Sequence, residues 1–211
     1  MSAHAAGRIG PNAVIRLIEA LDQLTDRATT LALFEAAGLA RYLARPPEDM
    51  VEEAEVALLH RLVEARLGTE CSQAAARIAG TRTAEYLLER RIPRFAQTIL
   101  RLVGPWLASR LLARAIAANA WTFVGTGHFA AQHGRPTLFH IGNCPLCRDR
   151  QATGPICTFY AACFQQLYRR LVHPETRVAE TTCSAAGAEV CTFSITWPRA
   201  ARRFAAKARI G

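Results

Sequence analysis

Hydrophobic positions in the first half of the chain recur at helical spacing. In PNAVIRLIEALDQL (11–24), Val14, Leu17, Ile18, Leu21 and Leu24 fall on one face, and Pro11 suits a first turn. TTLALFEAAGLARYL (29–43) predicts a shorter helix with a break at Gly38. Pro46-Pro47 opens PEDMVEEAEVALLHRLVEARLG, acidic at its start and with Arg66 near its end, as the helix dipole favours. CSQAAARIAGTRTAEYLLERRI (71–92) reads as an Ala-rich helix, and two more (93–102 and 105–118) flank Gly104-Pro105.

The pattern then changes. AWTFVGTGHF (120–129) is aromatic, β-branched and Gly-punctuated, and PTLFHIG (136–142) predicts a second strand. GPICTFYAACFQQLYRRLVHP (154–174) returns to helical spacing, with Tyr160, Cys163, Phe164, Leu167 and Leu171 as its apolar stripe. TRVAETTC and EVCTFSITW are strands joined by the tight SAAGA turn; Cys191, Phe193, Ile195 and Trp197 alternate with Thr192, Ser194 and Thr196. The expected class is α+β: a helical region (1–118) packed on a small antiparallel β-β-α-β-β core (119–197), then a basic tail (198–211), the whole forming one globular domain.

Composition narrows the function classes. With 211 residues and 51% hydrophobic content, the chain can bury a real core. No apolar run approaches the roughly 18–20 residues that span a bilayer, and MSAHAAGRIGPN lacks the features of a secretory signal. A cytoplasmic location is expected, with room for peripheral contact at a membrane. The net charge of +9 is carried by arginine, Lys207 being the only lysine. PRAARRFAAKARI (198–210) concentrates five positive residues without an acid, a tail for solvent, an anionic membrane or an acidic partner. No helix-turn-helix, RNA-binding or zinc-finger pattern accompanies it, so no nucleic-acid partner is expected.

The cytosol keeps thiols reduced, so seven cysteines read as buried thiols or metal ligands rather than disulfides. Cys157, placed near a helix start by Pro155, is followed by Glu180, Cys183 and Cys191. Three thiolates and a carboxylate suit a closed, four-coordinate structural zinc site. The plain alternative is two small buried strand residues and an exposed glutamate. Cys144-Pro-Leu-Cys147 has zinc or redox spacing but no partner half-motif, which favours a loop with incidental cysteines over a separate metal or redox site. His128, His133 and His140 are candidate ligands for a metal or a chelated magnesium, or ordinary hydrogen-bonded histidines. Trp106, Trp121, Phe123, Phe129, Phe139 and Trp197 would line an apolar pocket or fill the core. Gly125-Thr126-Gly127 is the only Gly-x-Gly and lacks the rest of a dinucleotide fingerprint; no P-loop, Gly-x-Ser-x-Gly or HExxH occurs.

AWTFVGTGHF, GPICTFYAACFQQLYRRLVHP and VAETTCSAAGAEVCTFSI resemble the vinyl-4-reductase domain, a small-molecule-binding module. The spacing of Cys157, Glu180, Cys183 and Cys191 is similar to the zinc site of the related domains in phenol-sensing transcription activators. The helical first half, beginning RIGPNAVIRLIEAL, is similar to the bacteriochlorophyll 4-vinyl reductase family. The resemblance implies a structural zinc ion and a magnesium-tetrapyrrole ligand of the magnesium-porphyrin or protochlorophyllide type. Enzymes of the magnesium-tetrapyrrole pathway would be its partners, and a homodimer is compatible. The family name implies reduction of a vinyl group on divinyl protochlorophyllide or chlorophyllide. Such chemistry is carried by a cofactor, and with no nicotinamide or flavin motif the sequence favours a protein that binds the tetrapyrrole and assists its transfer or processing.

Overall fold

The computed structural model describes residues 7–198, so the basic tail beyond Pro198 lies outside the described residues. Helices α1 (Asn12–Leu24), α2 (Arg27–Ala36) and α3 (Arg41–Ala44) open the chain. The Asp26 side chain accepts from the Thr29 N–H at 2.7 Å and caps α2. The break at Gly38 is present: its φ of 69° is left-handed and ends the helix.

The third helix starts later than Pro47 predicts. Val51–Glu52 (β2) pairs antiparallel with Arg8–Ile9 (β1), a long-range contact that local pattern does not carry, so α4 begins at Glu53 and runs to Tyr86. It bends at Gly68 (φ 80°, ψ 167°), the boundary between the two predicted segments. A short π-helical turn (Leu87–Arg91) leads to α5 (Arg94–Leu102) and α6 (Pro105–Ala118).

AWTFVGTGHF is not one strand. Trp121–Val124 forms a helical turn, α7, and the strand β3 starts only at His128 and ends at Gln132. The reason lies in its partner: β4 (Thr137–Gly142) ends opposite His128, so residues before it have no strand to bond. Helix α8 (Thr158–Leu171) follows, then β5 (Arg177–Thr182), a 3-10 turn and β6 (Val190–Thr196). The four strands form an antiparallel sheet in the order β3-β4-β6-β5. The molecule is α+β as expected, helices first and sheet second.

Helix α8 lies between the sheet and α4. Phe164 of α8 meets Phe139 of β4 (centroids 5.1 Å) and Phe193 of β6 (5.5 Å), both edge-to-face. Rings of this size each contribute roughly 1.5–3 kcal/mol on burial, so they anchor the helix to the sheet. On the other side of α8, Gly80 of α4 lets the backbones touch: a Cβ there would stand 2.2 Å from the Phe159 carbonyl oxygen.

Candidate metal centre

The sheet, the start of α8 and the preceding loop bring five thiols to one place. Cys191 sits on β6 opposite Ile141, where the alternation of that strand turns it inward. Cys183 ends β5 just before the 3-10 turn, and Cys157 is the residue before α8. All three are buried. Glu180, half-buried on β5, accepts the Cys157 N–H through Oε2 at 2.7 Å, tying the helix start to the hairpin. The ligand atoms of Cys157, Glu180, Cys183 and Cys191 lie within 4.8 Å of one another.

Cys144 and Cys147 are neither a separate site nor incidental. Both are buried, and the loop after β4 folds them onto the same thiols. The Cys147 Sγ stands 3.1 Å from Cys157, 3.5 Å from Cys183 and 3.4 Å from Cys191; Cys144 is 3.6 Å from Cys157. Cys144, Cys147, Cys157 and Cys191 make a second four-ligand group that shares two thiols with the first. The visible signal is the Cys-x2-Cys spacing; its direction depends on the loop path. Two ion pairs to α4 hold that loop: Arg148 with the buried Glu53, and Arg150 with Glu64. The Thr126 N–H and hydroxyl also donate to Glu53, at 3.0 and 2.7 Å.

The donor set fits a thiophilic metal. Zn–S bonds of about 2.3 Å in a tetrahedron set sulfur–sulfur edges near 3.8 Å, and Cys157 and Cys191 are 3.8 Å apart. Glu180 Oε1 is buried without a hydrogen-bond partner, as a carboxylate oxygen reserved for a cation would be. Without a cation, burial pushes the Glu180 carboxyl up to about 9, against the Cys157 N–H and with the help of Cys183 and Cys191. Charge is unevenly shared among the thiols. Hydrogen bonding, chiefly from Cys157, lowers Cys183 to about 5, and neighbouring thiols, Cys144 first, pull Cys191 down as well. The same contacts push Cys147 and Cys157 up. A buried set of this kind is closed to substrate and suits a structural ion.

Among the described residues the candidate histidines join no metal-ligating cluster. His128 and His133 are exposed, and His140 Nδ1 bonds the Thr192 hydroxyl at 3.1 Å. His60, on α4 against Phe159, carries no signal in the sequence pattern: burial, aided by Arg150, lowers its pKa to about 4 and keeps it neutral. Of the candidate pocket aromatics, Phe123, Phe129 and Phe139 join Tyr160, Phe164 and Phe193 in the seam between α8 and the sheet. Trp106 and Trp121 are exposed, and Trp197 packs on Tyr168. A surface hollow of about 240 Å³, lined by Arg16, Glu19, Arg82, Glu85, Tyr86 and Glu89, is polar and small, unlike the larger apolar pockets that hold flat ligands.

This centre and sheet lie in a vinyl-4-reductase domain, whose family matches residues 138–196. Along nearly the whole chain the relatives are narrower in kind. The chain is 38% identical over 190 residues to the bacteriochlorophyll synthase 23 kDa chain of Cereibacter sphaeroides, covering 90% of this chain and 91% of that one. It is 37% identical over 186 residues to the Rhodobacter capsulatus protein of the same description, with 88% and 85% covered. The chain belongs to this vinyl-4-reductase-domain family. Two solved structures share its fold alone. The phenol-responsive sensory domain of the transcription activator PoxR aligns with a TM-score of 0.52 at 13% identity, covering 70% of this chain and 77% of that one. An H-NOX protein from S. oneidensis in the Fe(II)NO state aligns with a TM-score of 0.54 at 12% identity, covering 90% and 100%.

Proposed function

We propose that the protein is an accessory chain of bacteriochlorophyll biosynthesis that binds a magnesium-tetrapyrrole intermediate and assists its transfer or processing. The observation that carries this reading is the likeness, over about nine-tenths of the chain, to two proteins described as chains of bacteriochlorophyll synthase. That description also supports association with enzymes of the pathway. The aromatic seam beneath α8, flanked by the 119–197 core, supplies faces on which a flat macrocycle would stack. Arginines at its margin suit the propionate groups.

A zinc ion held by Cys157, Glu180, Cys183 and Cys191 would fix this scaffold. It would join the start of α8 to the β5–β6 hairpin and neutralise the buried charge of the cluster. Metal analysis of purified protein is expected to find about one zinc per chain. Cys183→Ser or Cys191→Ser should lose the metal and lower the melting temperature, since binding free energy at such a site is folding free energy. Variants as stable and as metal-loaded as the wild type would refute the structural zinc.

The ligand is tested by titrating the protein with divinyl protochlorophyllide and chlorophyllide, with and without NADPH. Spectral perturbation with saturable binding and no turnover is the expected result. Monovinyl product formed by the protein alone would overturn the carrier reading and assign the 4-vinyl (8-vinyl) reductase activity instead.

A further inference from the structure

Helices α5 and α6 carry apolar side chains on the side turned away from the core. Gln97 and Leu100 of α5, and Ala108, Ser109, Leu112 and Ala113 of α6, are buried. The opposite positions are Phe95, Ile99 and Leu102 at i, i+4 and i+7 of α5, and Trp106, Leu107 and Leu111 of α6. These are not half-covered edges: Leu102 is 78% exposed, Phe95 70% and Trp106 50%. Leu102 and Trp106 flank the Val103-Gly104 turn, so the two stripes meet there. Large apolar side chains grouped in this way on a water-facing surface mark a docking face rather than scatter.

The charge around this face has one sign. Arg90, Arg91, Arg94, Arg101, Arg110 and Arg114 are all exposed. No aspartate or glutamate occurs between Glu89 and Asp149. Among the described residues none of the six arginines enters an ion pair. The Arg110 guanidinium lies 4.8 Å from the centre of the Trp106 ring, so a cation is held directly over an exposed aromatic. Apposing two copies of this face would bring arginine against arginine with no acid to offset it, which argues against self-association. Neither helix is long and apolar enough to cross a membrane. A short amphipathic pair with Trp, Phe and Leu on one side and arginine as its only charge has the chemistry of a segment lying in the headgroup layer of an anionic bilayer.

We propose that the α5–α6 hairpin docks the protein on an anionic phospholipid surface. Phe95, Leu102 and Trp106 enter the boundary of headgroup and acyl chain, and the flanking arginines pair with lipid phosphates. The proposal does not depend on the metal centre or on the bound tetrapyrrole.

The test uses the full chain, co-sedimented with vesicles of phosphatidylglycerol and phosphatidylcholine, or of phosphatidylcholine alone. Sedimentation with the anionic vesicles only, reversed by high salt, is expected. Trp106 fluorescence should shift to the blue on binding, a shift that Trp106→Phe removes. L102E/W106E should weaken binding at least tenfold while leaving circular dichroism and melting unchanged, because both side chains are exposed. Undiminished binding by L102E/W106E would overturn the proposal and place the contact elsewhere, on the basic tail first. Failure of the wild type to sediment would overturn it too. In that case, a dimer dissolved by L102E/W106E would assign the face to a second copy, and retention on polyglutamate to an acidic protein.

Discussion

Glu180 is held by one oxygen and orphaned at the other. Oε2 takes the Cys157 N–H, while Oε1 is buried among thiols without a partner. With no metal bound, the carboxyl keeps its proton up to about 9, against a usual 4.5. A carboxyl whose folded pKa lies above its unfolded value binds its proton more tightly in the native state. The metal-free protein should therefore be most favoured by this group below about pH 4.5 and lose that contribution as pH rises toward 9. Denaturant titrations of chelator-treated protein across that range measure the slope, which Glu180→Gln should remove. His60 has the opposite sign. Its folded pKa of about 4 lies below the usual 6.5, so its contribution is complete above pH 6.5 and is lost as pH falls through 4. At about 1.4 kcal/mol per pKa unit the loss is roughly 3 kcal/mol. His60→Leu should abolish this acid limb in melting measured against pH.

At the level of elements, α4 organises the centre without contributing a ligand to it. Its first residue, Glu53, is only 4% exposed and takes Arg148 and Thr126. Burial works against that carboxylate, but Arg148 and the Thr126 bonds outweigh it and hold its pKa below the ordinary value. Arg148 is one residue past Cys147, so the ion pair fixes how far the thiol loop reaches toward Cys157, Cys183 and Cys191. Arg148→Ala strands a buried charge, and a loss on the order of 2–4 kcal/mol in urea denaturation is expected. Metal release to a chelator should also quicken. Farther along α4, Gly80 meets the Phe159 carbonyl so closely that a methyl has no room. Gly80→Ala should separate α4 from α8 and cost about 1–3 kcal/mol of stability, read as a lower melting temperature, despite the better helix propensity of alanine.

For the whole molecule, the elements that local pattern predicts well are those with a full apolar stripe or clean alternation. The stripe of α8 and the alternation of β6 are legible because each repeats every few residues. Trp121–Val124 reads as strand but folds as a helical turn, because aromatic and β-branched content cannot reveal that β4 stops opposite His128. The pattern places the start of α4 too early for a similar reason: Val51 pairs with Ile9, more than forty residues away. The candidate ligands Cys157, Glu180, Cys183 and Cys191 stand out because a helix start and a hairpin constrain them at set spacing. Cys144 and Cys147 do not, since a loop's destination is set by the ion pairs of Arg148 and Arg150 with α4. The sequence by itself determined the α+β class, most of the elements and the four-residue ligand pattern, because these follow from periodicity and short-range chain geometry. Only the tertiary structure decided that five thiols share one centre, that His60 is buried neutral, and that α5 and α6 turn an arginine-rimmed apolar face to solvent. Those outcomes depend on contacts between residues far apart in the chain, which local pattern does not encode.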